Sequence, residues 1–198
     1  MEIKKLSLGK VQTNCYILIK NNNCIVIDPA SNFERIKSEI GELTLQAIIL
    51  THGHFDHLLA ADKLVNYYHV DLYLNENDLF LATDEKLNSM ASIKGKIFTK
   101  PKNLDEGNLT IGDFNFEVIS APGHTPGSML LIIEENLFAG DVLFKDSIGR
   151  YDFPYSSISD TRKTVRMLKE LDSNLTVYPG HGPITSLKRE FEYNMFLK

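Results

Sequence analysis

Three of the six histidines fall inside one short stretch, Thr51-His52-Gly53-His54-Phe55-Asp56-His57. Imidazole nitrogens and a carboxylate oxygen are the ligands that Zn²⁺ and other borderline divalent metals prefer. An apolar run, Ala47-Ile48-Ile49-Leu50, precedes the cluster and reads as a buried strand, and a helical pattern over about 58–68 follows it. The ligands are therefore expected in a turn held from both ends. In extended backbone alternate side chains point the same way, so His52 and His54 can share one target while Asp56 and His57 address a second.

The same grammar recurs three times: an apolar strand, a tight turn, then a residue able to bind metal. His124 follows a strand over 114–119, Asp141 follows one over 136–139, and His181 follows one over 175–178. Gly123, Gly140 and Gly180 each stand directly before one of these ligands. Glycine lets the backbone turn sharply and lets side chains converge on a small ion. Five of the six histidines thus stand in loops at strand ends. The sixth, His69, lies near the end of a helical segment and reads as an exposed imidazole.

The elements that must position these groups are legible in outline. Strands over 14–19 and 24–27 are joined by the turn Asn21-Asn22-Asn23. Ser31 or Asn32 is expected to cap a helix with Ile36, Ile40 and Leu43 on one face. A short strand over 71–74, a helix from Glu76 to about Leu87, and an exposed Lys-, Gly- and Pro-marked excursion over 94–108 follow. Beyond these come a hairpin over 129–133 and 136–139, a helix capped by Ser159, and a final helix over about 186–196. Periodicity gives a single mixed α and β domain spanning 1–198.

Bulk composition narrows the function classes. The chain has 198 residues, 43% hydrophobic and 24% charged, which suits one soluble domain with a sizeable core. A formal net charge of −5 without a basic run argues against nucleic acid or an anionic membrane as partner. No apolar stretch is long enough to span a bilayer. The N-terminus, Met1-Glu2-Ile3-Lys4-Lys5-Leu6, lacks the apolar segment of a signal peptide, so a cytoplasmic location is expected. Cys15 and Cys24 sit in strand-like runs and read as buried thiols rather than a disulfide or metal ligands. A hairpin turn at 21–23 places Cys24 nearer Ile19 than Cys15, against a bond between them.

The His-x-His-x-Asp-His turn, with His124, Asp141 and His181 in matching contexts, resembles the signature of the metallo-β-lactamase superfamily. The resemblance implies a four-layer αββα sandwich, two packed mixed β-sheets with helices outside. It places His52, His54 and His124 on a first metal and Asp56, His57 and His181 on a second, with Asp141 bridging both. Two divalent ions are implied, zinc foremost, with iron and manganese suiting the same ligands. Such a pair binds a bridging water and brings its pKa near neutrality, and the hydroxide attacks a carbonyl. Asp56 is then the catalytic group that orients the nucleophile, and no serine or cysteine nucleophile is required. Asp28 ends the buried run Ile25-Val26-Ile27, where a charge needs partners. By resemblance it supports the histidine cluster; a simple turn aspartate is the alternative.

Three stretches are similar to the short glyoxalase II-like, or hydroxyacylglutathione hydrolase-like, branch. They are Pro122-Gly123-His124-Thr125-Pro126-Gly127-Ser128, Phe138-Ala139-Gly140-Asp141 and Tyr178-Pro179-Gly180-His181-Gly182-Pro183. Ser128 joins the residues expected to support a ligand or touch substrate. Ser147-Ile148-Gly149-Arg150-Tyr151-Asp152-Phe153 resembles a Gly-Arg-Thr-Asp segment of that branch, with Tyr151 in place of threonine. Arg150 and Asp152 either line the cleft and orient a polar substrate or form an ion pair that holds their loop. The implied activity is hydrolysis of a small acyl thioester such as S-lactoylglutathione. Full-length glyoxalase II carries a C-terminal helical domain that helps bind glutathione, and this resemblance runs only one helix past His181, which leaves the substrate open. An iron persulfide dioxygenase is the second expectation, and a non-catalytic, metal-stabilised binding domain the third.

Overall fold

The computed structural model describes residues 1–90 and 93–198. Two six-stranded sheets pack face to face. The first has the order Glu2–Leu8, Thr13–Lys20, Asn23–Ile27, Thr44–Ile49, Asp71–Leu74 and Lys102–Asn103. The second has the order Thr185–Ser186, Thr176–Pro179, Asn136–Gly140, Met129–Ile133, Phe114–Ser120 and Gly107–Ile111.

Alternation along each strand sorts side chains between two faces. Tyr16, Leu18, Ile25, Ile27 and Ile49 meet Phe114, Phe116, Val118, Leu131 and Phe138 between the sheets. On the outer face of the first sheet, Cys15, Ile17, Val26 and Ile48 pack with Ile36 and Ile40 of helix Phe33–Ile40 and with Leu64 of helix Ala61–Tyr68. On the outer face of the second, Leu130, Leu137 and Val177 pack with Leu168 of helix Ile158–Leu168 and with Leu187 of helix Leu187–Tyr193. The result is the expected αββα sandwich of two mixed sheets with helices outside. Strands covered on both faces must be apolar on both, which is why 24–27 and 47–50 read as unbroken apolar runs.

Topology brings the ligand loops to one end. Asn23–Ile27, Thr44–Ile49 and Asp71–Leu74 are parallel neighbours, so Asp28 and the 51–57 turn leave the first sheet side by side. Asn136–Gly140 and Thr176–Pro179 are also parallel, which sets Asp141 beside His181. Phe114–Ser120 is antiparallel to Met129–Ile133, itself antiparallel to Asn136–Gly140, so the loop carrying His124 leaves at that same end.

Several boundaries differ from the sequence expectation, each for a local reason. The helix expected over 58–68 is two pieces, Phe55–Leu58 and Ala61–Tyr68. The amides of Leu59 and Ala60 donate to the carbonyls of Ala30 and Pro29 instead of to their own turn. The helix expected over 76–87 is a 3₁₀ turn Glu76–Asp78 and a short helix Leu79–Thr83, stopped where Asp84 becomes extended. Ser157 rather than Ser159 caps helix Ile158–Leu168, its hydroxyl accepting from the Asp160 amide. The last helix ends at Tyr193 because the Asn194 side chain leaves the helical path to bond the Ser147 carbonyl and the Glu190 carboxylate. The 94–108 excursion contributes Lys102–Asn103 to the first sheet's edge, and Glu2–Leu8 forms its other edge. Asn32, in the left-handed region, caps helix Phe33–Ile40. Cys24 pairs with Ile19, and both thiols are free and buried. His69 is an exposed left-handed helix cap, far from ligand duty. No helix among the described residues is long and apolar enough to cross a membrane.

Candidate metal centre

The strand Thr44–Ile49 delivers its chain into Thr51, whose amide and hydroxyl both donate to the buried Asp28 carboxylate, at 2.8 and 2.7 Å. That anchors the start of the ligand turn. His52 follows, fully buried, then His54 at the mouth, then the one-turn helix Phe55–Leu58 that presents Asp56 and His57. His124, Asp141 and His181 arrive from the second sheet. Gly180 shows how tightly the loops meet: a β-carbon there would run into the Asp141 carboxylate and the His57 ring.

The side chains sort into overlapping groups: His52 with His54 and His124, His52 with His57 and Asp141, and Asp56 with His57 and His181. His54 Nδ1 lies 3.1 Å from His52 Nε2 and 2.9 Å from His124 Nε2. Asp56 Oδ2 lies 3.5 Å from His57 Nε2 and 3.2 Å from His181 Nε2. Asp141 reaches both groups, with Oδ1 3.4 Å from His57 Nε2 and Oδ2 3.5 Å from His124 Nε2 and from His181 Nε2.

Outward hydrogen bonds set the tautomers. His57 Nδ1 donates to Asp28 Oδ2 at 2.9 Å, and His124 Nδ1 donates to the Arg150 carbonyl at 2.8 Å. The Thr51 hydroxyl gives its proton to Asp28, so its oxygen accepts from His52 Nδ1 at 3.1 Å. All three rings therefore turn Nε2 inward with the other ring nitrogen already engaged, the arrangement that metal-ligating histidines adopt. His54 Nδ1 can give a hydrogen to at most one of the two Nε2 atoms beside it, so at least one close nitrogen pair lacks a full hydrogen bond unless a cation sits among them. Two buried inward atoms, His57 Nε2 and Asp141 Oδ1, have no hydrogen-bond partner among the described residues. Nitrogen and carboxylate donors in this disposition fit divalent metal of the zinc, iron or manganese type.

Electrostatics agree. Burial, reinforced by the neighbouring rings, holds His52 well below its usual pKa and His54 down to about 3. Burial alone would push Asp56 up, but His57, His181 and Thr13 outweigh it and hold the carboxyl at about 2. Burial would likewise lower His181, yet Asp141 and Asp56 raise it to about 10. Against the same burial penalty, Asp56, Asp28 and Asp141 raise His57 well above the usual imidazole range. Neutral imidazoles on one side and anionic carboxylates among strongly paired imidazoles on the other are the two halves of a cation site.

Above the cluster opens a cavity of about 490 Å³. His54, Asp56, His124, Asp141 and His181 form its floor, and Phe55, Leu81, Leu87, Phe144, Phe153 and Tyr155 its mostly apolar wall. Arg150 stands in that wall, its guanidinium 4.3 Å from the Phe153 ring centre and paired through Nε and Nη2 with both oxygens of Asp152. The two alternatives for Arg150 and Asp152 therefore coexist: the pair is internal to the loop, and its cationic half borders the cavity. Ser128 does not border it; its hydroxyl lies behind His124, bonded to Thr125.

Two participants escaped the sequence analysis. Thr13 Oγ1 donates to Asp56 Oδ2 at 2.6 Å, fixing the carboxylate from below. Asn14 grips the His181 loop through the carbonyls of Pro179, Gly180 and Gly182. Polar Thr-Asn at the head of an otherwise apolar strand was the available signal.

Comparison with known proteins bears on the whole assembly. A model described as the metallo-beta-lactamase superfamily matches residues 8–181, a span holding every ligand named above. The chain is 34% identical to the hydroxyacylglutathione hydrolase GloC of Haemophilus influenzae, over 100% of this chain and 98% of that protein. It is similar to the crystal structure of the BLEG-1 B3 metallo-beta-lactamase, with 33% identity, a TM-score of 0.93 and 99% of both chains covered. It is also similar to TTHA1623 in a di-iron-bound form, with 32% identity, a TM-score of 0.86, and 98% of this chain and 100% of that one covered. The family match over 8–181, the shared fold and the shared length agree, and the chain belongs to the metallo-β-lactamase superfamily.

Proposed function

We propose that this protein is a metal-dependent hydrolase that cleaves a small acyl thioester of the S-lactoylglutathione kind. The observation that carries the proposal is the meeting of seven inward-facing donors, His52, His54, Asp56, His57, His124, Asp141 and His181, five of which (all but the buried His52 and His57) form the floor of an open cavity. His52, His54 and His124 would hold one divalent ion and Asp56, His57 and His181 a second, with Asp141 shared; zinc is the first expectation. Bound metal supplies Lewis-acid polarisation and an acidified water.

The chain's own residues supply the rest. Asp56, immobilised by Thr13, faces the cavity and is placed to orient an attacking water and take its proton at the carboxylate. The apolar wall excludes solvent around the reacting carbonyl. Arg150 offers the cavity a cation for a substrate carboxylate. Burial pushes the Cys15 thiol well above its usual pKa and Cys24 up to about 12, so neither serves as nucleophile. Similarity to a hydroxyacylglutathione hydrolase over the full chain supports the thioester class. The partner is a small molecule rather than nucleic acid or a membrane, and the setting the cytoplasm.

The test is S-lactoylglutathione hydrolysis by zinc-loaded protein, beside a chelated sample and the Asp56→Ala variant. Turnover abolished by both chelation and the variant supports the proposal. A folded, fully metallated protein without turnover refutes it. Oxygen uptake by the iron-loaded form with glutathione persulfide would then favour the oxidoreductase alternative.

A further inference from the structure

Asp78 belongs to no ligand group, yet its side chain is fully buried beside the centre. Its carboxylate accepts three hydrogen bonds. The Gly53 amide donates to Oδ2 at 2.7 Å, the Thr125 hydroxyl to Oδ2 at 2.6 Å, and the Gly127 amide to Oδ1 at 2.6 Å. Gly53 lies between His52 and His54, whereas Thr125 follows His124 and Gly127 closes its turn. One carboxylate therefore ties together the two loops that supply the triad of nitrogens 2.9 to 3.1 Å apart. A β-carbon at Gly127 would stand 2.7 Å from Asp78 Cγ, so the loop can approach this closely only as glycine. Ser128 backs the arrangement, its hydroxyl bonded to Thr125 Oγ1 at 2.7 Å. From the other side, Asn88 donates to the Gly53 carbonyl and accepts from the Phe55 amide.

We infer that Asp78 is a positioning residue, which sets the spacing of His52, His54 and His124 by clasping their two loops. The inference rests on the proposal that these three histidines hold metal. The chemistry requires an acceptor-only group: three donors converge, and burial pushes the carboxyl up while those same donors oppose the rise. Asparagine has the same shape but would turn an N–H toward Gly53 or Gly127, forcing the loops apart. The effect should fall mainly on the first triad, because the three bonds reach Gly53, Thr125 and Gly127, which flank His52, His54 and His124, and none reaches Asp56, His57 or His181.

Zinc affinity, read by chelator competition, tests this in two backgrounds. His181→Ala keeps the first triad and impairs the second group; His54→Ala does the converse. Asp78→Asn is expected to weaken zinc binding about 10- to 100-fold in the His181→Ala background, the range for lost ligand support. In the His54→Ala background it is expected to leave affinity unchanged. Thr125→Val, which removes one of the three donors, should shift the first background alone by less, and it carries the same comparison if Asp78→Asn does not fold. Equal losses in both backgrounds would mean a merely structural role and overturn the inference, as would no loss in either. Wild-type protein that binds no zinc would refute the metal proposal and this inference together. Unaltered zinc affinity in the variants of a zinc-binding wild type would refute this inference alone.

Discussion

Asp28→Asn separates ligand support from mere burial of a charge. Asp28 has a φ of +51°, a region asparagine adopts readily, so the substitution changes chemistry without straining the backbone. The native carboxylate accepts from the Thr51 amide, the Thr51 hydroxyl and His57 Nδ1. An asparagine can keep the Thr51 amide at its oxygen, but its NH₂ then occupies the place where Oδ2 met His57. The imidazole can restore a hydrogen bond only by moving its proton to Nε2, the atom that faces the centre. Fold rescue and metal binding are thereby set against each other. Loss of one buried hydrogen bond to a charged group costs about 1.5–3 kcal/mol of stability in the metal-free protein. Misdirecting the His57 lone pair should weaken metal binding about 10- to 100-fold, equivalent to about 1.4–2.8 kcal/mol. Urea unfolding of chelated protein reads the first quantity and chelator competition the second. A variant that loses stability but keeps wild-type metal affinity would refute the assigned tautomer and the supporting role of Asp28.

Other outcomes follow from the same geometry. In chelated protein, stability should peak near pH 6.5. Below it, buried His52 and His54 stay neutral, His54 down to about pH 3, while the unfolded chain takes up protons at about 6.5, so stability falls. Above it, the contribution of His181, full below 6.5, is lost as pH rises toward about 10. Melting temperatures across that range check this, and a chelated protein that gains stability between pH 6.5 and 5 would contradict it. Native protein should resist alkylation by iodoacetamide at pH 8, with both cysteines reacting only in urea, because burial suppresses the Cys15 and Cys24 thiolates; rapid native labelling would disprove that. Arg150→Ala should leave the melting temperature unchanged, because its pair with Asp152 is solvent-exposed, and should raise KM for an anionic thioester while sparing a neutral one. An equal effect on both substrates would remove Arg150 from recognition.

What could be seen in the sequence was whatever chemistry is carried by side-chain identity at strand ends. His52 to His57 announce themselves by local spacing, and His124, Asp141 and His181 by a repeated strand, glycine and ligand order. Two central strands were legible as buried, since 24–27 and 47–50 are apolar on both faces because both faces are covered, whereas the sandwich layering was implied by the family resemblance and not by periodicity. Asp78 was hidden because its work is done by accepting backbone amides from loops distant in sequence, and Asn75-Glu76-Asn77-Asp78 looks like any polar helix start. Glu2–Leu8 was hidden because an edge strand with two lysines buries only one residue fully and shows weak alternation. The break between Leu58 and Ala61 was invisible because the competing acceptors, Pro29 and Ala30, are backbone carbonyls of another segment.

Metal stoichiometry tests the central claim most directly. Zinc-reconstituted protein, freed of loose ions and measured by elemental analysis, should hold two ions per chain. His54→Ala and His181→Ala should each hold one, and Asp141→Ala should lose both or bind them far more weakly. A wild type that retains no ion, or single variants that keep the full complement, would contradict the assignment of these seven residues to one metal centre.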